Sequence, residues 1–224
     1  MAVRRRLDES GDAGQRTGLD VDVQQFLDEG FVVLRGAVDP AVTAACADLL
    51  WAETGFDRDD PTTWTQPVVW VGDMAQPPFA EAASAPAVVA ALDAVVGPGR
   101  WVPRRSLGSF PLRFPHREEP DDAGWHIEGS YLPQGRKTYH ANVCSKDRAL
   151  LLLFLFTDVD DADAPTRVRI GSHLDIPRVL APYGEDGVSI FRAAQKIDAA
   201  SAHRPLAWAT GSAGDVFVCH PAAA

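Results

Sequence analysis

Gly124-Trp125-His126-Ile127-Glu128-Gly129-Ser130-Tyr131 is the stretch on which the reading of this chain turns. Side chains two apart on an extended strand leave from the same face, so His126 and Glu128 point one way and Ile127 the other. A neutral imidazole beside a carboxylate makes two parts of the 2-His-1-carboxylate set that holds Fe(II) and leaves coordination positions open. Alone, His-x-Glu is a common pair, and a polar strand face turned to solvent gives the same pattern. Its weight depends on what stands around it.

The 224 residues suffice for one large domain, and 46% hydrophobic with 23% charged residues is an ordinary globular balance. Six Trp and ten Phe supply material for a core. A formal net charge of −10 argues against nucleic acid as the partner, because phosphate binding needs a basic surface. Cys46, Cys144 and Cys219 form no paired framework and no Cys-x-x-Cys, so disulfides and a zinc knuckle are not expected and a reducing cytoplasm is. Arg4-Arg5-Arg6 is followed by polar and acidic residues, which is not a signal peptide. The apolar run 149–156 is too short to span a bilayer. A soluble protein without a membrane partner is the expectation.

Working outward, residues 1–20 read as a disordered leader, rich in Arg, Asp, Gly and Ser. Val23, Phe26 and Leu27 have helical spacing and Gly30 stops that helix. A short strand follows over 31–35. Asp39-Pro40 then opens a second helix, with Asp39 as its cap and an apolar stripe from Val42 to Leu50. Residues 55–80, interrupted by four prolines, read as irregular. A third helix covers 86–96, before Gly97-Pro98-Gly99. From Trp101 the period shortens, and strands are expected at 106–114, 125–128, 140–143, 150–157, 166–170, 205–208 and 215–220. Short helices are expected at 175–180 and 188–194. Residues 21–224 thus read as a single domain, with a helical layer over 21–100 and a β-core over 101–224.

Four segments in this order resemble the phytanoyl-CoA dioxygenase family of Fe(II)/2-oxoglutarate oxygenases. They are Glu29-Gly30-Phe31-Val32-Val33-Leu34-Arg35-Gly36, then Trp125-His126-Ile127-Glu128-Gly129. Next comes Phe154-Leu155-Phe156-Thr157-Asp158-Val159, leading through Asp163-Ala164-Pro165-Thr166 to Ile170-Gly171-Ser172-His173. Gly214-Asp215-Val216-Phe217-Val218-Cys219-His220-Pro221 is the last. The resemblance implies a mainly β, double-stranded β-helix (jelly-roll, cupin-like) fold behind N-terminal helices. It implies Fe(II) and 2-oxoglutarate as cofactors, with O2 and a small organic or secondary-metabolite substrate as partners. Oxidative decarboxylation of the keto acid would drive hydroxylation.

Carried over residue by residue, His126 and Glu128 match the first two metal ligands, with Glu where most relatives have Asp. The family's second ligand His falls one position beyond Ala224, and its keto-acid Arg later still. The expectation is therefore a chain truncated before that ligand, missing its final strand, and self-associating through the sheet edge left behind. His220 is a substitute ligand or a histidine behind the site. Arg113 and Asn142 are candidates for holding the cofactor, and Tyr131 and Lys137 for lining the pocket. His173 and Asp215 are read as loop ties. Two other functions fit the same residues: a non-catalytic jelly-roll relative, and a cupin-like metalloenzyme that does not use 2-oxoglutarate.

Overall fold

All four residues of the run Val216-Phe217-Val218-Cys219 are 2% exposed or less, as an apolar strand covered on both faces must be. The computed structural model describes residues 21–118, 120, 122, 124–144 and 147–224; the expected leader, 1–20, lies outside them. In chain order the elements are α1 (Val23–Glu29), β1 (Phe31–Leu34), α2 (Pro40–Thr54), β2 (Val68–Val71), α3 (Pro77–Ala83), α4 (Pro86–Val95) and β3 (Phe110–Arg113). There follow β4 (His140–Ala141), β5 (Leu151–Phe154), β6 (Arg167–Arg169), α5 (Ile176–Leu180), β7 (Val188–Ser189), α6 (Ile190–Ser201), β8 (Leu206–Trp208) and β9 (Val216–Cys219). The architecture is a mix of helices and short antiparallel strands.

β9 lies between β1 and β5, with Val218 opposite both Val32 and Leu152. The pairs β2–β3, β4–β7 and β6–β8 are further antiparallel ladders. Alternation along β9 sorts the core into layers. Val216 and Val218 face the helices, packing with Cys46, Phe79 and Val88 on one side and Phe26 and Ala91 on the other. Phe217 and Cys219 face Val168 of β6 and Ala207 of β8. Ile127, Ile176, Val188 and Ile197 make a separate apolar cluster under the candidate site.

Local chemistry explains most element ends. Asp22 and Asp39 cap α1 and α2, each accepting a hydrogen bond from a backbone N–H of the first turn. Gly30 ends α1 in the left-handed conformation. Asn142 Oδ1 accepts the Cys144 N–H at 2.9 Å, a local turn that stops β4 at two residues rather than the four expected.

Three readings from sequence are corrected. The stretch 55–80 holds β2 and the start of α3, because Pro77 and Pro78 occupy a helix's first turn, where a missing N–H costs nothing. The helix expected at 188–194 instead starts at Ile190 and runs to Ser201, its polar Gln195 and Lys196 lying on the exposed face. Residues 125–128 join no ladder among the described residues, although Ile127 is buried between two more open neighbours. No helix among the described residues is by itself long and apolar enough to cross a membrane. The bent pair α3–α4 buries Phe79, Ala82, Val88 and Ala91 completely.

Candidate functional site

Trp125 begins the site. Its ring lies under the guanidinium of Arg169, 3.9 Å from the ring centre, with Arg167 at 5.3 Å. Arg169 is itself held by Asp198 at 2.6 Å and by Ser201 at 3.0 Å. Two residues on, Ile127 is 2% exposed, while His126 is exposed and Glu128 half-buried. The Glu128 N–H donates to the Pro221 carbonyl at 3.0 Å. The tertiary structure thus brings the His-x-Glu segment against the end of β9, close in space though far apart in sequence.

His126 stands exposed. The Glu128 carboxylate is 3.2 Å from the Arg148 guanidinium, whose Nε donates to the Gly129 carbonyl at 2.7 Å. Arg148 therefore clamps the motif from the side. Gly129 has no room for a side chain, because a Cβ there would overlap Tyr139. Ser130 and Tyr131 tie the segment to the start of β4, their N–H groups sharing the His140 carbonyl.

His220 precedes Pro221 in the chain, and its N–H donates to the Gly30 carbonyl at 2.8 Å. Its Nδ1 accepts the Ala222 N–H at 3.0 Å, and its ring lies 5.1 Å from that of His173 and 6.1 Å from that of Phe26. Burial, reinforced by His173, pulls its pKa down to about 4, so it is neutral at pH 7. The His173 Nε2 meets the Leu27 carbonyl at 3.0 Å, while its buried Nδ1 has no partner among the described residues. Burial lowers its pKa too.

The two residues expected to hold a keto acid are engaged elsewhere. Arg113 makes a two-pronged ion pair with Asp122, at 3.0 and 2.9 Å. Asn142 donates to the Glu185 carbonyl at 2.6 Å, and Tyr131 bonds the Glu185 and Asp186 carbonyls at 3.0 and 2.7 Å. Lys137 is exposed. Asp215 ties Arg35 and the Gly36 N–H to the start of β9. Arg148 and Arg169 were not legible from sequence: neither stands at a telling distance from the motif, and only folding brings them to it.

His126 and Glu128 suit a divalent cation by donor type, one imidazole nitrogen and one carboxylate. They do not complete a facial triad, since no set of three His, Cys, Asp or Glu side chains that would hold a metal comes together among the described residues. No protein-family model matches the chain. No curated protein matches it either. Among solved structures, the chain is similar to HygX from Streptomyces hygroscopicus with nickel and 2-oxoglutarate bound, at 18% identity and a TM-score of 0.47, over 89% of this chain and 77% of that one.

Proposed function

We propose that this chain is a non-haem Fe(II)/2-oxoglutarate oxygenase of the phytanoyl-CoA dioxygenase type, built on a double-stranded β-helix, with His126 and Glu128 as two adjacent metal ligands. The supporting observation is the Glu128 N–H to Pro221 carbonyl hydrogen bond. It joins the second and fourth of the segments that carry the resemblance, as a metal centre drawn from both would require. Bound there, metal and keto acid would supply the oxidative chemistry for hydroxylating a small organic substrate.

The chain's own residues prepare the place. Trp125 under Arg169 and Ile127 in the apolar cluster hold the segment's register. Arg148 holds the Glu128 carboxylate in place. A partly exposed ion pair of this kind contributes about 0–1 kcal/mol, so it yields to a divalent cation. Three free thiols are in keeping with a reducing compartment, two of them buried and inert: Cys46 and Cys219 have pKa values pushed up to about 11 and 12 by burial.

A second reading, a non-catalytic relative of the same fold, is favoured by the same Arg148–Glu128 pair, which satisfies the carboxylate without a metal. Anaerobic titration with Fe(II) and 2-oxoglutarate separates the two. The oxygenase reading expects a visible charge-transfer band that His126→Ala abolishes and that Arg148→Gln brings in at lower Fe(II). A chain that shows no band, and no Mn(II) binding in a parallel titration, is the non-catalytic relative.

A further inference from the structure

We propose that a cavity of about 220 Å³ between β4, β7 and the start of α6 is a binding site for the oxyanion of a small acid, a carboxylate or a phosphoryl group. The proposal is independent of the metal ligands and of the keto acid.

Arg136, Thr138, Tyr183, Ser189 and Arg192 line the cavity, and no carboxylate lines it among the described residues. In a chain of net charge −10, two guanidiniums facing one space without a counter-charge are a local reversal of sign. Neither Arg136 nor Arg192 makes an ion pair among the described residues. Both present forked donors that suit an oxyanion.

Ser189 carries the argument further. It precedes α6, a helix of twelve residues, at the position where a serine ordinarily caps the first turn. Its side chain makes no capping bond, and no hydrogen bond to it is formed by the described residues. Yet Ser189 is only 8% exposed. Its hydroxyl thus keeps both donor and acceptor for an occupant of the cavity. Here it lines the cavity, at the helix end whose amides and dipole favour negative charge. The Tyr183 hydroxyl accepts from Lys196 at 2.7 Å, which leaves its own proton free to be donated.

Isothermal titration of the whole chain with inorganic phosphate, and separately with benzoate, at low ionic strength tests the site without any metal present. One saturable site is expected for at least one of the two probes, and the probe that binds identifies the group. Arg136→Glu and Arg192→Glu should each weaken binding about tenfold or more, and Ser189→Ala several-fold, with circular dichroism unchanged. Arg58→Glu makes the same charge change at a distant ion pair with Asp48 and should leave binding intact. No saturable binding of either probe would overturn the proposal, and so would equal weakening by Arg58→Glu.

Discussion

Gly30 shows how much one residue can be asked to do. It closes α1 at φ 86°, donates its N–H to the Phe26 carbonyl at 2.9 Å, and accepts the His220 N–H at 2.8 Å. A Cβ added there would meet the His173 Nδ1 at 2.5 Å. The same Nδ1 is buried and has no hydrogen-bond partner among the described residues. Gly30→Ala therefore faces both left-handed strain and overlap with a buried ring. A loss of about 2–4 kcal/mol is expected in urea unfolding. A loss under about 0.5 kcal/mol would mean that the two rings move aside freely. The glycine at the helix stop was legible in the sequence; the histidine packed on it was not.

At the scale of the element, β9 and its continuation through His220 and Pro221 connect the helical layer to the candidate site. His220 is neutral in the fold, its pKa held at about 4 against an ordinary 6.5 by burial and then by His173. Between those values the unfolded chain binds more protons than the folded one, so stability falls as pH is lowered from 6.5 toward 4. With solvent still reaching part of the ring, the loss is about 1–2 kcal/mol. His220→Gln should flatten the curve of unfolding free energy against pH over that interval. An unchanged slope would place the acid sensitivity elsewhere, with His173 the next residue to replace.

Across the whole molecule, a network of charges and hydrogen bonds joins the later elements into one body. Asp175, 1% exposed, receives Arg204 at 2.7 Å and also pairs with Arg178. The Arg204 hydrogen bond, aided by Arg178, holds its pKa down to about 2 against the opposing cost of burial. Its contribution is thus present above pH 3.8, the ordinary value, and fades as pH falls through about 2. Nearby, the Ala224 N–H donates to Ser172 Oγ at 2.9 Å and the Ala224 carbonyl accepts the Arg169 N–H at 2.6 Å. Asp175→Asn keeps the shape but leaves the mostly buried Arg204 guanidinium without its counter-charge. A loss of about 2–4 kcal/mol is expected in thermal or urea unfolding at pH 7, shrinking below pH 3.

The sequence by itself determined what depends on near neighbours. Capping by Asp22 and Asp39, the stop at Gly30, the continuous apolar run of β9 and the burial of Ile127 between His126 and Glu128 are all properties of short stretches, where period and backbone chemistry decide. Only the tertiary structure decided which distant groups meet. It set Pro221 against Glu128, placed Arg148 on that carboxylate and Arg169 on Trp125, gave Arg113 to Asp122, and gathered Arg136, Ser189 and Arg192 around one cavity. The physical reason is that ion pairs and hydrogen bonds are made by whichever side chains the packed core brings within reach. Residue type and spacing along the chain do not encode that distance.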